Sequence, residues 1–196
     1  MEPVPAYRDA NRARLRETLV SVARELTVRQ GWDKVRMADV AKAAGVSRQT
    51  VYNEFDGRPG LAQALVVRET EQFTAAVRAE LFRHGADVRA AARAALLRTL
   101  TEADGNPLIR AILTSARGGE EDLLPFLTTR SDVVLRAATA VIEEWARTCL
   151  PGTPAPAVTF AADAIVRLVI SHIMMPSGPP AESAASLAEA FVRLLA

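Results

Sequence analysis

The sequence predicts an all-α protein, and three observations carry that expectation. Alanine, leucine and arginine dominate, and all three favour helix. Alternation of apolar and polar residues at period two, the mark of a half-buried strand, is nowhere sustained. Proline and glycine cut the chain into pieces of helical length. At 196 residues, folding hides roughly 70% of the unfolded surface. A chain 49% hydrophobic and 24% charged is too apolar for disorder and too charged for a membrane bundle.

Nine helices are expected. In residues 9–30, Leu15, Leu19, Val22 and Leu26 recur at helical spacing. Gly31 stops that helix, and Trp32 follows where an aromatic anchors the turn. Residues 37–44 form a short helix ended by Gly45, and residues 48–54 form another, with Ser47 as its N-cap. Pro59 opens a long helix over 59–83, which Gly85 ends. Asp87 opens the fifth, over 87–102, and residues 108–115 form a short sixth. The seventh spans 131–149, preceded by a turn at 123–127. The loop PGTPAP leads to the eighth at 158–175, and the ninth covers 181–195.

Total charge is +1 and says nothing about partners. Residues 1–58 hold 11 basic and 8 acidic side chains, net +3, while the remainder is net −2. A single cysteine, Cys149, excludes an internal disulfide and a CxxC zinc site, and His84 and His172 lie too far apart for a histidine metal cluster. No metal or other cofactor is expected. Residues 1–16 lack a signal peptide's apolar core, and no run reaches 18 apolar residues, so a cytoplasmic protein off the membrane is expected. No Ser/His/Asp grouping, phosphate loop or dinucleotide glycine pattern points to an enzyme.

The informative segment is VRMADVAKAAGVSRQTVYNEFDGRPGL, residues 35–61. Two helices too short to stand alone are joined by Gly45-Val46-Ser47. Glycine permits a left-handed backbone, serine caps the next helix, and Ala41 is small enough for the helices to cross closely. Val40, Val46 and Val51 suit a shared core. This is the recipe of a helix-turn-helix, whose second helix enters the major groove of DNA. On a wheel at about 100° per residue, Arg48, Gln49, Tyr52 and Asn53 share one arc and Val51 points away. Arg pairs with guanine, Gln with adenine, and hydroxyls hold phosphate. From the wheel alone, a DNA-reading face and an ordinary bundle surface both stay open.

The pattern A-x-x-A-G-V-S-x-x-T-V-Y-x-x-F follows a long amphipathic helix ending in Gly-Trp. It resembles the N-terminal domain of TetR-family bacterial transcription regulators over about residues 15–65. The resemblance implies a nine-helix fold, with residues 1–58 as DNA-binding domain and 59–196 as ligand-binding and dimerisation domain. It further implies a homodimeric repressor of a palindromic operator, released by a small molecule. Arg48 and Gln49 would read bases. Ser47, Thr50, Tyr52 and Asn53 would touch phosphate or groove wall, and Arg36 and Arg58 would meet phosphate. Arg58 stands where the family usually has Lys, and Asp56-Gly57 and Pro59-Gly60 depart from its usual residues. Phe55 suits the core.

The dimer face is expected on the last two helices: Phe160, Ala164, Leu168 and Ser171, then Leu187, Phe191 and Leu194. The ligand site is expected among Phe73, Val77, Leu97, Ile112, Leu113, Phe126, Trp145 and His172. An ordinary core role stays open for each. Few polar residues accompany them, so the effector is expected to be apolar or amphipathic. A regulator without a small-molecule ligand, and an activator, remain alternatives.

Overall fold

The computed structural model describes residues 5–114, 123, 125 and 131–195. Among these residues there are nine α-helices and no strand. They are α1 (Pro5–Gln30), a 3-10 turn at Trp32–Lys34, α2 (Met37–Ala44), α3 (Arg48–Phe55), α4 (Arg58–His84), α5 (Val88–Gly105), α6 (Pro107–Thr114), α7 (Asp132–Cys149), α8 (Ala155–Met174) and α9 (Pro180–Leu195). The turn expected at 123–127 lies outside the described residues except for positions 123 and 125. Two compact units divide the chain: Met1–Arg68 with Arg110–Leu124, and Glu69–Ile109 with Pro125–Ala196.

In the first unit, α1 buries Leu19, Val20, Ala23 and Thr27, while Leu15, Val22 and Leu26 are half-buried. The buried stripe is therefore turned from the expected one, onto Leu19, Val20, Ala23 and Thr27. Thr27 is tolerated in the core because its hydroxyl donates to the Ala23 carbonyl at 2.7 Å. Trp32, Val35, Val40, Val51, Phe55 and Leu61 complete this core. Val46, expected with them, is only half-buried.

In the second unit, alanines on α5 (Ala91, Ala92, Ala95) and on α9 (Ala184, Ala188) are buried together and let these two helices pack closely. Leu81, Leu96, Leu100, Ile142, Trp145, Val158, Ile165, Leu187 and Phe191 fill the remainder. Arg78 of α4 clamps Glu144 of α7 with two hydrogen bonds, 3.1 and 2.6 Å, and this holds the Glu144 carboxyl below its ordinary pKa. By length and composition alone, α8 is long and apolar enough to cross a membrane, although Arg167 and His172 interrupt it. One side of it, Val158, Ala161, Ala162, Ile165 and Val166, lies in the core, as in the core helix of a globular unit.

Candidate nucleic-acid interface

The turn between α2 and α3 forms as its residues dictate. Gly45 adopts the left-handed conformation (φ 69°, ψ 28°), and the Val46 amide donates to the Ala41 carbonyl at 3.0 Å. Ser47 then leaves the helical region, and its hydroxyl oxygen accepts from the Thr50 amide at 3.1 Å. The same oxygen lies 2.8 Å from the Thr50 hydroxyl. The next helix thus has a fixed start, and its axis is set by buried Val51 and Phe55.

Arg48, Gln49, Tyr52 and Asn53 are all exposed on α3. They form two pairs one turn apart. Arg48 Nη2 donates to the Tyr52 hydroxyl at 3.2 Å, with the guanidinium 5.3 Å from the ring centroid. That hydrogen bond keeps the Arg48 pKa above its ordinary value. Gln49 Nε2 donates to Asn53 Oδ1 at 2.8 Å. Such exposed i, i+4 pairs contribute only about 0.2–0.5 kcal/mol each, so they orient the side chains yet yield readily to a better partner. Arg36, the N-cap residue of α2, is also exposed.

Arg58, expected to meet phosphate, is also held from within the head. It is half-buried, its Nη2 donates to the Trp32 carbonyl at 2.7 Å, and its guanidinium lies 4.8 Å from the Trp32 ring centroid. The planar fork that distinguishes Arg from Lys serves here as an internal strut.

The residues expected to bind ligand are scattered in kind. Trp145 is fully buried, with its indole N–H donating to the Gly85 carbonyl at 3.0 Å. Val77 packs against the same core, Phe73 is half-buried, and Leu97 is exposed. His172 is half-buried, with Nδ1 2.8 Å from the Leu168 carbonyl. The side chains of Ile112 and Leu113, and all of Phe126, lie outside the described residues.

The expected dimer stripe divides. Leu187 and Phe191 of α9 are 4% and 3% exposed within their own chain, and Leu194 packs against the same core. Leu187 and Phe191 are therefore not free for a partner, because the α5 alanines and Trp145 already cover them. Phe160 and Leu168 of α8 are 64% and 40% exposed, Ser171 is exposed, and Ala164 is half-buried.

A capped short helix, crossed on a second one and presenting Arg, Gln, Tyr and Asn, is the head of a helix-turn-helix DNA-binding regulator. Residues 19–65 match the family model of bacterial regulatory proteins, tetR family, and residues 87–193 match that of the bacterial tetracyclin repressor, C-terminal domain. The chain belongs to the TetR family of transcriptional regulators. It is 33% identical over 183 residues to the HTH-type transcriptional regulator AlkX of Mycobacterium tuberculosis (strain ATCC 25618 / H37Rv), which covers 93% of this chain and 85% of that one. It resembles the crystal structure of the TetR family repressor AlkX from Dietzia sp. strain DQ12-45-1b, implicated in biodegradation of n-alkanes. That match has 32% identity and a TM-score of 0.76, over 91% of this chain and 94% of that one. RolR in complex with resorcinol shares the fold, with a TM-score of 0.67 at 18% identity over 95% and 90% of the two chains.

Proposed function

We propose that this chain is a homodimeric repressor that binds a palindromic operator through α3 and leaves it when an apolar small molecule binds. The observation that carries this reading is the outward arc Arg48, Gln49, Tyr52 and Asn53 on a helix whose start is fixed by Ser47. Arg48 reads guanine, Gln49 reads adenine, and Ser47, Thr50, Tyr52, Asn53 and Arg36 lie along the groove wall and phosphates. The head is residues 1–58, and residues 59–196 bind ligand and dimerise. The work is done where the bacterial chromosome lies, in the cytoplasm.

The effector class is a long apolar chain such as an alkane or its acyl derivative. The apolar character of the candidate wall residues supports this, as does the Dietzia relative's link to n-alkane biodegradation. A duplex from the chain's own promoter region should shift in a gel, with log affinity falling by about 0.9 per released phosphate contact for each unit of log salt. Medium- or long-chain alkanes should reverse the shift. Binding indifferent to both salt and sequence would contradict this reading.

Arg48→Ala should cost about 1–3 kcal/mol of binding and relax preference at one base position, read by selection from randomised duplexes. A selected motif identical to that of the wild type would refute the base-reading role.

Two heads reach successive major grooves only when held about 34–36 Å apart, so the mechanism needs a dimer. Phe160, Ala164 and Leu168 on α8 form its apolar stripe, with Ser171 at its end. Phe160→Glu should turn the dimer into a monomer in sedimentation and weaken operator binding at least roughly tenfold, since it forfeits burial of one phenyl and buries a charge. An unaltered dimer would remove α8 from the interface.

A further inference from the structure

The recognition helix carries one carboxylate, Glu54, beside Asn53. An α-helix is about 10–12 Å across and the major groove about 12 Å wide. Any charge on α3 in the groove therefore lies within about one Debye length of phosphate, ~10 Å at 0.1 M salt. An uncancelled carboxylate there opposes binding and offsets the charge of Arg48, the one basic residue of α3.

The structure holds Glu54 in a particular way. Arg12, more than 40 residues away on α1, sets its Nε 2.9 and 3.2 Å from the two carboxylate oxygens. The Glu54 side chain is only 10% exposed, while that of Arg12 is 66% exposed. One turn further along α1, Arg16 donates from Nη1 to the Glu54 carbonyl at 2.8 Å, and its guanidinium lies 4.6 Å from the Phe55 ring centroid. That bond satisfies one of the carbonyls left open at the end of α3. Arg16 thus holds the backbone of the helix end, and Arg12 holds only its charge.

We propose that Arg12 is a positioning residue for DNA recognition: it masks the Glu54 carboxylate and turns it toward α1, so that α3 enters the groove with the charge of Arg48 uncancelled. This rests on the reading of α3 as the DNA-contacting helix. Because Arg16 remains, replacing Arg12 leaves the helix end attached. Arg12 is itself 66% exposed, and Gln at this position can still donate a hydrogen bond to the Glu54 carboxylate, so folding is preserved as well.

The test compares the full-length wild type with R12Q, E54Q and R12Q/E54Q. Binding is measured by fluorescence anisotropy on a duplex that the wild type has selected from a random pool. R12Q is expected to weaken binding about tenfold, as a bared like charge at an interface does. Its Tm should move by less than about 2 °C. E54Q is expected to bind at least as tightly as the wild type, and the double variant within about twofold of it, because the charge that needed masking is gone. A double variant as weak as R12Q would mean that Arg12 itself grips DNA. R12Q binding like the wild type would mean that the bared carboxylate is not felt. Either result, or E54Q weaker than the wild type, overturns the role of Arg12 while leaving α3 as the reading helix. A wild-type chain that enriches no duplex overturns the reading of α3 and this role with it.

Discussion

Gly60→Ala is expected to destabilise the head by about 3 kcal/mol, lower Tm by roughly 10 °C and abolish sequence-selective DNA binding. Helix propensity alone predicts the opposite sign, since Ala is favoured over Gly inside a helix by about 1 kcal/mol. The cause is a close approach. Gly60 lies in the first turn of α4, and a Cβ there would run into the carbonyl oxygen of Phe55 and lie 2.9 Å from its carbon. The obstacle is backbone, so no rotamer change relieves it. Phe55 and Leu61 are both core residues, and the turn between the helices already uses left-handed Asp56 (φ 52°) and Gly57 (φ 103°). The end of α3 or the start of α4 must therefore move, and the reading arc moves with it. Gly45→Ala is the comparison. Its methyl meets nothing within 4 Å, so only the positive φ is penalised, at about 1 kcal/mol. Thermal melts followed by circular dichroism check the ranking. A Tm raised by Gly60→Ala would show that the two helices do not meet this closely.

Trp145→Ala is expected to cost about 3–5 kcal/mol, measured by urea unfolding. The indole is fully buried on α7, its centroid 6.5 Å from that of Phe191 on α9, and it hydrogen-bonds the carbonyl of Gly85 just beyond α4. One side chain thus ties three helices of the second unit. Trp145→Phe keeps most of the apolar volume and removes the N–H, leaving the Gly85 carbonyl without that donor, so a cost of about 1–3 kcal/mol is expected. If Trp145→Ala costs less than about 1 kcal/mol, the ring borders empty space rather than packed core.

Much of the fold was legible because its punctuation is chemical. Gly45 and Ser47 placed α2 at 37–44 and the start of α3 at 48, as found. Helices with a proline in the first turn start earlier than their apolar periodicity predicts. Helix α8 starts at Ala155 rather than 158, since Pro156 fits a first turn that lacks amide partners anyway, and α1 starts at Pro5 for the same reason. The outward placement of Arg48, Gln49, Tyr52 and Asn53 followed from helical periodicity once Val51 was assigned to the core.

What escaped the sequence depends on distant partners. The stripe Leu187–Phe191 announces burial but not against what, and here its own α5 and Trp145 cover it. The inward turn of Arg58 onto Trp32, the pairing of Arg12 with Glu54, and the contact that leaves no room for a side chain at Gly60 join positions that only the folded chain brings together. A small signal for the last was present: a glycine in the first turn of a helix, where propensity disfavours it, marks a close backbone approach.

The most direct test of α3 as the reading element is methylation protection of guanine N7 on the selected operator duplex, an atom that lies in the major groove. Two protected patches about 34–36 Å apart along the duplex are expected, with at least one guanine in each losing protection in Arg48→Ala. Protection absent from the major groove, or unchanged by Arg48→Ala, would contradict the reading role of α3.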